Sequence, residues 1–85
     1  MFIELTSVYY DSNHRTYNKG KLFINVSDIV SVIEEDDYIG TYWCRRIILN
    51  NGKTYYVTES YKYIVDKMSA IVNLMYKEGD SNDWK

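Results

Sequence analysis

The fold is decided by the stretch Ile47-Ile48-Leu49-Asn50-Asn51-Gly52-Lys53-Thr54-Tyr55-Tyr56-Val57, in which two apolar runs flank Asn51-Gly52. Asn and Gly tolerate the positive φ angles of a two-residue turn, so this dipeptide predicts a β-hairpin. With Asn51 and Gly52 as the whole loop, Ile47 pairs with Tyr56 and Arg46 with Val57. One face of the hairpin then carries Cys44, Arg46, Ile48, Tyr55 and Val57, and the other carries Trp43, Arg45, Ile47, Leu49 and Tyr56.

The residues after this hairpin change from an alternating to a helical pattern. Apolar side chains recur at steps of three and four, which predicts an amphipathic helix. Thr58 or Ser60 suits its N-cap, and Lys77-Glu78-Gly79 suits its end. The stripe consists of Tyr61, Ile64, Val65, Met68, Ile71, Val72 and Met75. We expect residues 1–78 to form one domain and residues 79–85 to form a polar flexible tail.

The residues before the hairpin predict further strands. Apolar residues dominate three segments, residues 2–10, 21–26 and 29–33, and the polar residues 11–20 read as a loop or a long hairpin connection. The acidic run Glu34-Glu35-Asp36-Asp37 reads as a solvated loop. Together these segments predict an α+β fold, an antiparallel β-meander of four to five strands with one C-terminal amphipathic helix.

Composition bounds the class of protein. Eighty-five residues, 46% hydrophobic and 26% charged, predict one folded domain with a modest core. The net charge of −2 weighs against a general nucleic-acid or anionic-membrane binder. No apolar run reaches the length of a membrane span, and residues 1–4 lack the pattern of a signal peptide, so we expect a cytoplasmic protein without membrane contact.

Parts of the chain resemble the small FlbD/SwrD-like family, which is associated with flagellar and swarming motility, and similar small phage proteins. The resemblance covers Ile3-Glu4-Leu5-Thr6, Asn25, Ile29, Ile33-Glu34 and residues 48–60. The last block is the most specific part, because a strand, an Asn-Gly-Lys turn, a strand and a helix follow in that order. The resemblance implies a phage-encoded or motility-associated accessory protein and brings no catalytic residue.

The residues that enzymes need are scarce. Cys44 is the only cysteine and His14 the only histidine, so neither a disulfide within the chain nor a Cys/His zinc site can form. Cys44 lies among apolar neighbours, where a small buried thiol is the usual interpretation. Gly52-Lys53 lacks the other residues of a phosphate-binding loop. We therefore expect no catalytic residues, no metal and no cofactor.

Aromatic residues are the unusual feature of this sequence, which has ten tyrosines and two tryptophans. Adjacent pairs at Tyr9-Tyr10, Tyr42-Trp43 and Tyr55-Tyr56 place an aromatic side chain on both faces of a sheet. One interpretation is a small closed barrel, which covers both faces within one chain. The other is a protein-protein interface, because Tyr and Trp are enriched at interfaces. The predicted interaction residues are Trp43, Arg45, Tyr56, Tyr9 and Tyr10.

Two further expectations concern partners. An open edge along residues 42–49 would favour a homo-oligomer through strand pairing. We expect either Trp43 and Tyr56 or Tyr9 and Tyr10 in the buried patch, and residues 34–37 outside it. The alternative function is a single-stranded nucleic-acid binder that stacks bases on Trp43 and Tyr56 and holds phosphates with Arg45. The acidic net charge makes nucleic acid the weaker hypothesis.

Overall fold

The computed structural model describes residues 1–79, with side chains described through Asn73. Six strands precede one helix, which confirms the α+β class and the C-terminal helix. A 3-10 turn, Val26–Asp28, lies between the second and third strands. The predicted tail beyond Gly79 lies outside the described residues. The elements are β1 (Phe2–Asp11), β2 (Thr16–Asn25), β3 (Ile29–Val32), β4 (Asp37–Ile39), β5 (Tyr42–Leu49), β6 (Thr54–Val57) and α1 (Tyr61–Gly79).

The strands form one antiparallel sheet in the order β2-β1-β6-β5-β3, with β4 paired to the outer part of β5. The predicted meander of four to five strands is therefore wrong, because β1 lies between β2 and the last strand. β1 suits this interior position because it buries an apolar side chain on each face, Leu5 on one and Val8 on the other. The turn after β2 carries the chain past the β5–β6 loop, where the N–H of Asn50 donates to the carbonyl of Asp28 at 2.8 Å. β3 then adds beside β5.

The loop between β5 and β6 has three residues rather than the predicted two. The N–H of Leu49 donates to the carbonyl of Lys53, and the N–H of Gly52 donates to the carbonyl of Leu49, both at 2.9 Å. Gly52 has a φ of 85°, which glycine adopts without steric cost. A three-residue loop closed by a glycine of positive φ is a common hairpin connection.

This longer loop shifts the hairpin register by one residue. Ile47 faces Tyr55 and Arg45 faces Val57, so the predicted pairings are wrong. Directly opposed residues share a face, and the shift therefore exchanges the faces of all β6 residues relative to β5. Tyr56 lies opposite Arg46, on the face away from Arg45.

The β1–β2 hairpin is longer than its sequence suggested. Ten residue pairs join the two strands, from Phe2 and Asn25 to Asp11 and Thr16. The connecting loop is only residues 12–15, and Asp11 stabilises it by accepting a hydrogen bond from the N–H of Asn13 at 3.0 Å. A contact of 2.7 Å with the His14 ring lowers the pKa of the Asp11 carboxyl below its ordinary value.

The helix packs on one face of the sheet and completes the core. Ser60 is its N-cap, since its hydroxyl accepts a hydrogen bond from the N–H of Tyr63 at 3.1 Å. Ile64 is fully buried, and Met68 and Ile71 pack at the margin of the core, as the helical stripe predicted. Val72 is exposed, at the edge of the stripe. The buried core consists of Ile3, Leu5, Ile24, Val26, Ile47, Val57 and Ile64.

Candidate interaction surface

The helix covers only one end of the sheet. Along β1, the core side chains Ile3 and Leu5 lie under α1, whereas Tyr9 on the same face is 48% exposed. The sheet is open, with edges along β2 and β3, so it does not close into a barrel that would cover the far end. Aromatic side chains therefore stay exposed there. We define the aromatic surface as Tyr9, Tyr10, Tyr17, Tyr38 and Trp43.

Two cross-strand contacts organise the aromatic surface. Tyr38 of β4 lies directly opposite Trp43 of β5, with ring centroids 4.8 Å apart. Tyr10 of β1 lies opposite Tyr17 of β2, with centroids 5.2 Å apart in an edge-to-face arrangement. Aromatic pairs at such distances restrain each other's rotamers. Each pair therefore presents a preformed apolar surface.

The two hairpins that carry these pairs touch each other. The β4–β5 turn contains Gly40, and a Cβ atom there would lie 3.0 Å from the Cβ of Tyr17. Gly40 also has a φ of 61°, so both its backbone conformation and its close approach to Tyr17 require glycine. The Lys19 ammonium lies 5.3 Å from the ring centroid of Tyr42. These contacts bring the two pairs to the same end of the protein, the Tyr10–Tyr17 pair on the sheet face away from the helix and the Tyr38–Trp43 pair on the helix side.

Beneath this contact lies a second apolar site, on the sheet face away from the helix. Cys44 is fully buried and Val8 is 7% exposed, although neither belongs to the core under α1. Strand alternation places both residues on the face opposite Leu5 and Ile47. Burial raises the pKa of the Cys44 thiol above its ordinary value, so the group stays protonated and unreactive at neutral pH.

The structure separates the predicted interaction residues into two groups. Trp43, Tyr9 and Tyr10 are exposed by 61%, 48% and 54% and belong to the aromatic surface. Arg45 is half-buried on the helix side of the sheet, and Tyr56 is half-buried on the opposite side. The prediction that Trp43, Arg45 and Tyr56 share one face of the hairpin is therefore wrong, because the observed register differs from the predicted one by one residue.

Sequence reasoning missed two members of the aromatic surface. Tyr17 fell in the segment assigned to a loop, and Tyr38 followed the acidic run. The signal that could have identified them is their spacing around short turns. Tyr10 and Tyr17 lie symmetrically about the 12–15 loop, as Tyr38 and Trp43 lie about Gly40-Thr41. Symmetric positions face each other across an antiparallel hairpin.

Both arginines of β5 are held by the acidic run. Arg45 Nε lies 2.8 Å from Asp36 Oδ1, and Arg46 Nε lies 2.9 Å from Asp37 Oδ2, with Glu35 3.9 Å from Arg46. The N–H directions miss hydrogen-bond alignment, so these contacts are close ion pairs. The run was predicted to be a solvated loop. It also places negative charges against Arg45 and Arg46, which follow Trp43 along β5.

The described part of the chain contains neither a cluster of metal-binding side chains nor a membrane-spanning helix. Among residues 1–79, no group of three or more His, Cys, Asp or Glu side chains is placed to hold a metal ion. In that same range, no helix is both long and apolar enough to span a membrane. Comparison with protein-family models, curated proteins and solved structures gave no match. The resemblance to the FlbD/SwrD-like family stays a prediction.

Proposed function

We propose that this chain is a non-enzymatic interaction module that binds a protein partner through its aromatic surface. The observation that carries the proposal is the collection of five exposed aromatic side chains at the end of the sheet that α1 does not cover. Exposed Tyr and Trp side chains gathered at one end of a sheet are typical of protein-binding surfaces. Tyr and Trp supply large contact area with few rotatable bonds, which lowers the entropy cost of binding.

The charges near this surface favour a protein partner over nucleic acid. A single-strand binder needs basic side chains that are free to contact phosphates. Arg45 and Arg46 instead contact Asp36 and Asp37, and the chain as a whole carries a net charge of −2. Lys19 lies over the Tyr42 ring at the margin of the surface. We therefore keep protein binding as the proposed function.

A second copy of the chain is the partner that the sequence analysis predicts. An open edge along the whole of residues 42–49 is wrong, because β3 and β4 pair with one side of β5 and β6 pairs with Arg45–Ile48 on the other. Self-association through the aromatic surface does not need a free strand edge. The Tyr38–Trp43 pair would then meet its symmetry mate in an isologous interface.

The test compares matched variants of exposed aromatic residues. Trp43→Ala with Tyr38→Ala removes one pair of the aromatic surface, and Phe23→Ala removes a side chain of similar exposure, 62%, outside it. We expect light scattering at micromolar concentration to show an oligomer for the native chain and for Phe23→Ala, and a monomer for the double variant. An oligomer that survives the double variant would contradict the assignment of the interface.

A monomeric native chain would point to a different protein as the partner. Affinity capture from the native host would then use the native chain, the double variant and Phe23→Ala as baits. We expect one protein to bind the native and Phe23→Ala baits but not the double variant. Equal capture by all three baits would contradict a role for the aromatic surface. The phage or motility setting rests on the family resemblance and stays a prediction.

A further inference from the structure

A groove lies at the opposite end of β1, between that strand and α1. Its volume is about 550 Å³. One wall is the β1 segment Phe2–Thr6, and the other is formed by Glu59 at the helix entrance and by Tyr63, Lys67, Ala70 and Ile71 of α1. The groove shares no residue with the aromatic surface. It is therefore a separate candidate for binding.

The groove exists because β6 ends before β1 does. β6 pairs with β1 only at Ser7 and Val8, after which the chain turns away to start the helix. Thr6 is the last β1 residue with partners on this side. Its carbonyl accepts from the N–H of Thr58 at 3.0 Å, and its N–H donates to the Glu59 carboxylate at 2.9 Å. Glu59 thus ends the strand pairing at this point.

Strand geometry then decides where the remaining backbone groups of β1 point. In an antiparallel ladder, alternate residues direct their N–H and C=O groups to opposite neighbours. Thr6 directs both groups away from β2, so Glu4 and Phe2 do the same. Within residues 1–79, no strand pairs with β1 on this side over Phe2–Leu5. Two donors and two acceptors of the backbone therefore face the groove.

The side chains around this edge indicate what an added segment would contact. Phe2 is 64% exposed on the sheet face away from the helix. On the helix side, Ala70 and Ile71 provide an apolar wall, and the ammonium of Lys67 lies 5.6 Å from the Tyr63 ring centroid. The Glu59 carboxylate is already engaged by the hydroxyl of Thr6 at 3.0 Å and by its N–H.

We propose that this groove binds an extended peptide segment of a partner protein, which places an acidic side chain near Lys67 and adds as a strand to the Phe2–Leu5 edge of β1. An extended backbone is the ligand whose donors and acceptors repeat at the spacing of Glu4 and Phe2. A strand of about four residues fills the open edge. Its alternate side chains face Ile71 and Ala70 on one side and Phe2 on the other. A carboxylate on the helix side would complement Lys67.

The probe is the tightest binder selected from a random heptapeptide library displayed on phage, resynthesised as a free peptide. Glu4→Pro removes the N–H that faces the groove, while Glu4→Ala removes the same side chain and keeps that N–H. Proline is tolerated at a strand edge whose N–H is not used in the sheet. We expect Glu4→Pro to weaken peptide binding about tenfold or more, and Glu4→Ala to leave binding nearly unchanged.

A second measurement applies even where Glu4→Pro does not fold. The same peptide is N-methylated at either of two alternating sets of residues. In a peptide strand added to β1, only every second residue donates its backbone N–H to β1. We therefore expect the peptide methylated at those residues to lose binding and the peptide methylated at the other residues to keep it. Equal effects of both sets would overturn the proposal, as would a library that yields no binder. Binding that is lost in the Trp43→Ala, Tyr38→Ala variant would assign the peptide to the aromatic surface instead.

The outcome also distinguishes other occupants. A native chain that dimerises, and that becomes monomeric only with Glu4→Pro, would show that a second copy pairs with this edge and would overturn the peptide proposal. Failure of the aromatic-surface variants to change association tests the proposed function alone, because those residues lie outside the groove. The two proposals therefore stand or fall separately.

Discussion

Arg45 Nε lies 2.8 Å from Asp36 Oδ1, and the arginine side chain is only 17% exposed while its partner is 48% exposed. A guanidinium removed from water to this extent needs a nearby negative charge. The acidic run therefore has a structural role at the junction of β4 and β5, since it allows an arginine to lie in the sheet.

We expect Asp36→Asn to lower the free energy of unfolding by about 1 kcal/mol, because it leaves a mostly buried guanidinium without its counter-charge. The matched control is Asp66→Asn, which breaks the exposed Lys62–Asp66 pair at 2.8 Å on the helix. That change should cost clearly less than Asp36→Asn, because water screens the exposed pair. Urea unfolding of both variants measures the difference. Equal costs would show that burial does not strengthen the Arg45 pair.

Ile64 is a fully buried helix residue of the core, and Ile64→Ala should lower the free energy of unfolding by about 2–4 kcal/mol. Val72→Ala on the same helix is the control, because Val72 is 43% exposed and loses little burial. Its change should stay within about 0.5 kcal/mol. Thermal or urea unfolding monitored by circular dichroism reports both. A small change for Ile64→Ala would contradict the packing of the helix on the sheet.

Gly52→Ala tests the three-residue loop. The φ of 85° disfavours any side chain, and an added Cβ would meet no atom within 4 Å, so the cost is conformational rather than steric. We expect a loss of about 1 kcal/mol for alanine and a smaller loss for Gly52→Asn, since Asn tolerates this region better. An alanine variant as stable as the native chain would imply a loop without the positive φ.

Cys44 should react slowly with an alkylating reagent in the folded protein and rapidly in urea, because its thiol is buried and its pKa is raised. The raised pKa also gives a pH dependence. The thiol of the unfolded chain ionises at about pH 8.5, whereas the buried thiol of the folded chain ionises at a higher pH. The free energy of unfolding is therefore unaffected by this group below about pH 8.5, and it falls as pH rises from there through the pKa of the folded thiol.

Cys44→Ala should remove that part of the alkaline decline, at the cost of a small cavity. Unfolding midpoints of the two proteins between about pH 8 and pH 10 provide the comparison. Parallel curves, or fast alkylation of the folded native protein at neutral pH, would contradict a buried thiol.

Local features of the fold could be predicted from the sequence. The helix is set by its apolar period and by Ser60, and the β5–β6 hairpin by Gly52 between two apolar runs. The strand order could not be predicted, because the pairing of β1 with β6 depends on contacts between distant parts of the chain. The predicted register of the β5–β6 hairpin is wrong because Asn-Gly suits both a two-residue and a three-residue loop. The longer loop moves Tyr56 to the other face of the hairpin.

The aromatic surface, too, could be predicted only where it depends on local sequence. Exposed Trp43, Tyr9 and Tyr10 follow from aromatic pairs in strands, whereas Tyr38 joins them only through the pairing of β4 with β5. The acidic run and the two arginines are plain in the sequence. Their pairing depends on the offset between β4 and β5, which residue types alone do not determine.

The interior position of β1 sets the order in which the chain can become stable during synthesis. Its hydrogen bonds to Glu59 join residues 53 positions apart, and Leu5 is covered only when Ile64 arrives. Before the helix is made, we expect the ribosome-bound chain to expose the apolar face of the β1–β2 hairpin to water. Such non-local closure slows folding relative to a chain of successive hairpins. We expect the nascent chain to become protease-resistant only after the first half of the helix has left the ribosome.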